Sequence, residues 1–180
     1  KSTKSHKIYK MGQSIPKNFV QIWDVLSNKK LNSAIWGTMN TNFRDNSYIK
    51  VFFPDPWNKQ IKIKPSILEN VYTLPRSYAE NYTDYKILNN LQNIFKFIII
   101  CIKFIPLINL IKLIKIFFQT FLVRGFKNYN LFFLFDLISI HIFENLIKNE
   151  KINYSHIFLN SLAHFQHNNW DENENYKIYF

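Results

Sequence analysis

Asn18-Phe-Val-Gln-Ile-Trp-Asp-Val-Leu-Ser-Asn-Lys-Lys-Leu-Asn-Ser33-Ala-Ile-Trp-Gly-Thr-Met39 is the stretch that decides the fold. Phe19, Ile22, Trp23 and Leu26 fall at i, i+3, i+4 and i+7, the spacing of one helical face. That spacing predicts a helix over 18–29, capped by Asn18 and ended by Asn28, Lys29 and Lys30. Ser33–Met39 then has the apolar make-up of a short buried strand. Moving outward, Tyr48-Ile-Lys-Val-Phe-Phe53 predicts a second strand, stopped by Pro54-Asp55-Pro56 because proline cannot donate to a ladder. Asn153-Tyr-Ser-His-Ile-Phe-Leu159 predicts a third. A helix alternating with strand-like runs reads as an α/β fold. Residues 15–57 and 152–160 are expected to share one mostly parallel sheet, with the helix at 18–29 on one face.

Between these parts the chain changes character. From Asp84 to about Lys127 it is apolar, punctuated by Lys96, Lys103, Lys112, Lys115 and Arg124. The longest uncharged runs there, Phe104–Ile111 and Ile116–Val123, are eight residues each, whereas a membrane span needs about 20. Lysine at the bilayer midplane costs about 2.5–3.5 kcal/mol on the insertion scale, so spanning is unfavourable. Pro106 breaks the stretch, giving two amphipathic helices over 86–104 and 107–123, packed by their Phe and Ile faces with lysines outward. Asn130 to about Asn149 predicts a further apolar helix. Leu131, Leu134, Phe135, Ile138 and Ile142 trace one face of it, with Asp136 and His141 off that face. The domain organisation read from this is α/β core over 1–83, a helical insertion over 84–150, and core again over 151–180.

Composition narrows the function. At 180 residues with 47% hydrophobic content, the chain has enough apolar mass for a core and is not globally disordered. Its 3 glycines fall far below the usual share of about 7%. Neither GxGxxG nor GxxxxGK[ST] occurs, which excludes the two common nucleotide loops. The net charge of +11 accompanies a saturation in Asn, Lys, Ile, Phe and Tyr of the kind an AT-rich genome produces. With no aromatic RNA-binding motif and no finger spacing, nucleic acid is not an expected partner. The lone Cys101 lies in Phe97-Ile-Ile-Ile-Cys101-Ile and reads as a core residue. It forms no intramolecular disulfide, which fits a reducing, cytoplasmic setting. Lys1 in place of a methionine, and the strand-like Tyr176-Lys-Ile-Tyr-Phe180, read as an internal piece of a larger protein.

The chemistry concentrates in Asn160-Ser-Leu-Ala-His164-Phe-Gln-His167-Asn-Asn-Trp170. Open α/β sheets keep their ligands beyond the carboxyl ends of strands, and this run follows the third predicted strand. Imidazole is a good transition-metal ligand at neutral pH. Asn160, His164 and His167 are spaced by four and three, so one helical turn projects them to the same side. Spacing alone leaves two readings open, a metal site and two ordinary structural histidines. A Ser161 nucleophile lacks the G-x-S-x-G elbow.

The run Phe158-Leu-Asn160-Ser-Leu-Ala-His164-Phe-Gln-His167 resembles the metal-binding turn of the type I phosphodiesterase/nucleotide pyrophosphatase family, in the alkaline-phosphatase-like superfamily. Pro16-Lys-Asn-Phe-Val-Gln-Ile-Trp23-Asp-Val-Leu with Ser33-Ala-Ile-Trp36-Gly resembles that family's helix and strand after the nucleophile region. Ser2-Thr-Lys-Ser-His6-Lys-Ile resembles a degraded Thr-Pro-x-x-His-Gly-Ile turn. The resemblance implies a partial alkaline-phosphatase-like, mostly parallel sheet carrying a helical insertion. It also implies a zinc-dependent parent hydrolase acting on a phosphate ester or nucleotide-type small molecule. Asn160 and His164 would be metal ligands, His167 would support them, and two zinc ions would complete the parent. Asn160 stands where the family has an acid, and Lys7 where it has glycine. The nucleophile would precede Lys1, and the second metal's Asp-His pair would follow Phe180, so no catalytic residue is assigned within the chain. The alternative is a non-enzymatic module that docks on a membrane surface or a partner through its basic amphipathic helices.

Overall fold

The computed structural model describes residues 19–39, 41, 43–58, 62–80, 91–125, 128–148 and 150–161. The architecture is α/β: among the described residues, three parallel strands form one sheet, with helices. Strand β1 (Ser33–Thr38) lies in the centre, β2 (Ile49–Pro54) on one side and β3 (Tyr154–Ile157) on the other, in the order β2-β1-β3. Both pairings are parallel, with Trp36 opposite Phe53 in β2 and Ile157 in β3. Pro54 closes β2 opposite Thr38 and is the strand's last residue rather than the first beyond it. A strand end tolerates proline, and the next N–H, that of Asp55, donates to the Thr38 carbonyl at 3.4 Å.

The buried strands separate two aromatic clusters. Adjacent residues of a strand point to opposite faces. Phe52 joins Trp23, Ile35 and Ile49 on one face, with Phe43 and Tyr154 packed at the edge. Phe53 stacks on Trp36 at 4.0 Å between ring centroids and meets Tyr72 edge-on at 5.3 Å. Ala34, Ile35, Trp36, Phe52 and Phe53 are all buried, so β1 is covered on both faces, as strands of parallel sheets are.

Asn32 fixes the pairing between β1 and the distant β3. Its backbone N–H donates to Asn153 Oδ1 at 3.0 Å, and its side-chain amide donates to the Lys151 carbonyl at 2.7 Å. In return the Asn32 carbonyl accepts from the N–H groups of Asn153 and Tyr154. Two asparagines thus set the register of segments separated by about 120 residues. On the other side of the sheet, Phe52 exchanges two backbone hydrogen bonds with Lys64 in an antiparallel bridge.

Helix α1 (Ile22–Asn28) starts later than the expected 18–29. The reason is local. Asp24 Oδ2 accepts the Gln21 N–H at 3.0 Å, so the cap falls at Gln21. The expected cap, Asn18, lies outside the described residues. Phe19 precedes the helix, and it and Ile22 are exposed, while Trp23 and Ser27 turn inward. Helix α2 (Glu69–Glu80), entered through a 3₁₀ turn at Ser66–Leu68, buries Val71 and Tyr72.

Helices α3 (Leu91–Phe104) and α4 (Leu107–Arg124) are separated at Ile105-Pro106, as expected for that proline. Residues 86–90 of the first predicted helix lie outside the described set. Helix α5 (Asn128–Lys148) follows. Two compact units result, one built from the chain up to Phe97 with Glu150–Ile157, the other from Ile98–Asn149 with the chain from Phe158. Cys101 is buried, and burial pushes its thiol up to about 11, so at neutral pH it is an apolar core group. By length and composition, one described helix, Asn130–Lys148, is apolar enough to cross a membrane. It carries the buried Asp136.

Truncating Phe52 removes a ring that contacts both Trp23 and Phe43. Phe52→Ala should lower stability by about 3–5 kcal/mol in chemical denaturation. A loss under about 1 kcal/mol would mean that this cluster is not the core of the sheet.

Candidate functional site

Three features of the described residues bear on chemistry. The first is the run read as a metal turn. Asn160 follows Ile157, the last residue of β3, by three positions and is half-buried; Ser161 is the first residue after it with helical backbone. His164 and His167 lie outside the described residues, as does the Ser2–Ile8 run. Among the described residues no group of three His, Cys, Asp or Glu side chains is arranged to hold a metal.

What the structure does place at Asn160 is Asp136. This aspartate was expected off the buried face of its helix; it is buried instead, with 6% exposure. Asp136, Ser139 and Phe143 are spaced by three and four and form a second inward line on α5, beside the expected Ile138 and Ile142. Asp136 Oδ2 accepts the Ser161 N–H at 2.7 Å. The Ser161 hydroxyl and the Asn160 N–H also donate to the carboxylate. Burial raises the carboxyl above the ordinary Asp range, while these hydrogen bonds act in the opposite direction. Chemically the group holds the chain at the point where Asn160 turns. The periodic Leu and Ile line of α5 outweighed the shorter polar line in the sequence, which is why Asp136 was missed. His141 is half-buried, with Nδ1 4.0 Å from Glu144 Oε2.

The second feature lies beyond the carboxyl ends of β1 and β2. Asp55 Oδ1 accepts the Trp57 N–H at 2.8 Å, and Tyr72 donates its hydroxyl to the Asp55 carbonyl at 3.1 Å. Asn58 donates to the Thr41 carbonyl at 2.6 Å and to its hydroxyl oxygen at 3.1 Å. Arg76 donates to the carbonyls of Pro56 and Asn58 and pairs with Glu80. Burial raises the Tyr72 hydroxyl to about 12 despite nearby Arg76, so it stays a donor at neutral pH. Most donors of this network end on atoms of the 55–58 loop or of Thr41 beside it. It fixes the loop, and Pro54-Asp55-Pro56 had been read only as a strand stop.

The third feature is the surface of α3 and α4. Their lysines are exposed as expected, but the Phe and Ile faces are not packed away. On α3, Leu91, Phe95, Ile98 and Ile102 are 62%, 65%, 47% and 64% exposed. On α4, Leu107, Ile111, Ile114, Phe118 and Leu122 are likewise exposed. The burial that does occur is opposite these positions at Ile100 on α3 and Leu113 on α4, beside them at Cys101, and at Ile105 in the break between the helices.

No family model, curated protein or solved structure matches the chain.

Asp136 gives a pH test. Its folded-state pKa is raised, so its contribution to stability is fully present below the unfolded value of about 3.9 and is lost as pH rises through the raised value. Across that range wild type should lose stability relative to Asp136→Asn as pH increases. Denaturation midpoints of the two proteins, followed from acid to neutral pH, check this; parallel curves would contradict it.

Proposed function

We propose that the chain is part of a metal-dependent phosphodiesterase or phosphatase that hydrolyses a phosphate ester or nucleotide-type small molecule. The observation that carries the reading is the sequence of events after β3. A parallel strand ends at Ile157, and Asn160, His164 and His167 follow at the spacing of one helical turn. That is where open α/β sheets keep reactive groups. The resemblance to the metal turn of type I phosphodiesterases/nucleotide pyrophosphatases supports the same reading.

The donor chemistry suits zinc in kind. An imidazole nitrogen from His164 and the amide oxygen of Asn160 are both acceptable ligands, with His167 supporting. The set is electrically neutral and short of four ligands, so the remaining ligands and the nucleophile belong to the parent enzyme. Bound zinc in such a site would supply Lewis acidity toward a phosphoryl oxygen. Within this chain, Asp136 holds the backbone at Asn160 and Ser161, at the start of the run that leads to His164 in sequence.

In the full-length protein, His164→Ala should remove at least one zinc equivalent and lower phosphodiester hydrolysis together. His167→Ala should lower both by less, about 10–100-fold in affinity or activity, as second-sphere changes do. Zinc content by elemental analysis, beside hydrolysis of a nitrophenyl phosphodiester, decides it. Unchanged metal content and rate in His164→Ala would leave His164 a structural histidine.

A further inference from the structure

Many of the exposed apolar residues of α3 and α4 follow a repeated spacing, and Ile99, Ile108, Ile116, Phe121 and Val123 widen the exposed apolar surface beside them. On α3 the exposed positions Leu91, Phe95, Ile98 and Ile102 are spaced four, three and four apart, a single stripe along the helix. On α4, Leu107, Ile111, Ile114, Phe118 and Leu122 continue the same spacing over nearly the whole 18-residue helix. Each stripe has a cationic shoulder. Lys96 and Lys103 directly follow the stripe residues Phe95 and Ile102; Lys112 and Lys115 directly follow Ile111 and Ile114. One residue on a helix is a rotation of about 100°, so in both helices the lysines flank the stripe on the same side. All four lysines are exposed.

The charge pattern selects the occupant. Between Asp84 and Asp136 the sequence has no acidic residue, while α3 and α4 carry Lys96, Lys103, Lys112, Lys115 and Arg124. A helix stabilised by surface ion pairs would alternate signs; these do not. A second copy of the same face would set lysine against lysine, which costs energy. An anionic lipid surface meets both halves of the pattern. The stripe enters the boundary between headgroups and acyl chains, and the lysine stems run along it while their ammonium groups reach the phosphates.

We propose that α3 and α4 are interfacial helices that dock this protein on the surface of a membrane rich in anionic phospholipid, lying in the plane of the headgroups without spanning. The stripes supply apolar burial, and the lysines supply selectivity for negative headgroups. This assignment stands apart from the hydrolytic reading, because none of its residues belongs to the Asn160–His167 run.

The test is co-sedimentation of the whole chain with vesicles of phosphatidylcholine alone and of phosphatidylcholine with phosphatidylglycerol. Binding should be confined largely to the anionic vesicles and weaken with added salt. Each lysine near such a surface is worth about fivefold in binding, so Lys112→Gln with Lys115→Gln should weaken it by about 25-fold. Ile111→Ser with Phe118→Ser, both on exposed positions, should weaken anionic binding at least as much while the circular dichroism spectrum stays the same. Equal binding to both vesicle types, unchanged by the lysine pair, would overturn the proposal as mere stickiness. Absence of vesicle binding would overturn it too. If light scattering then showed a dimer that the serine pair dissolves, the stripe would be a surface for a second copy.

Discussion

Strand β1 is the constraint on which the sheet depends. It is hydrogen-bonded on both edges and covered on both faces, so Ser33–Gly37 is buried throughout. A strand in that position has no polar face to offer, and the two aromatic clusters around it follow from this. Trp36 and Phe53 fill one side as a parallel stack; Ile35, Phe52 and Trp23 fill the other. The neighbouring strands are brought to β1 by different means. β2 follows β1 closely in sequence, and the loop that leaves it is held by the Asn58 and Arg76 hydrogen bonds; β3 arrives from far along the sequence, seated by Asn32 and Asn153.

Much of this was legible in the residues. The apolar runs at 33–39, 48–53 and 153–159 are all strands within a residue or two, because continuous apolar segments bounded by Pro, Asn and Lys leave little else to become. The break at Pro106 was equally plain. The start of α1 was not. Asn18 and Asp24 both have capping side chains, and only folding shows that Asp24 reaches back to Gln21. Periodicity also overstated packing. It shows that residues share a face of a helix, but not whether another element covers that face, and on α3 and α4 the apolar stripes stay open.

The candidate site was legible in part. Asn160 stands after a parallel strand, as composition suggested, while His164 and His167 fall outside the described residues. The spacing of Asp136 with Ser139 and Phe143 hinted at its burial, but its partners could not be found from residue types, since they include the backbone N–H groups of Ser161 and Asn160, which every sequence possesses. A carboxylate buried against backbone donors leaves no pairwise signature in residue types. Its effect is to tie the position of the turn to α5.

The Phe52–Lys64 bridge has a further consequence for how the sheet meets its surroundings. Unpaired strand edges recruit other strands, and proteins commonly block them. Here the outer edge of β2 is occupied at Phe52 by a returning piece of the same chain, with Lys64 at the point of contact. β3 is the other border of the sheet. A further strand docking on the β2 border would therefore have to displace Lys64 from Phe52.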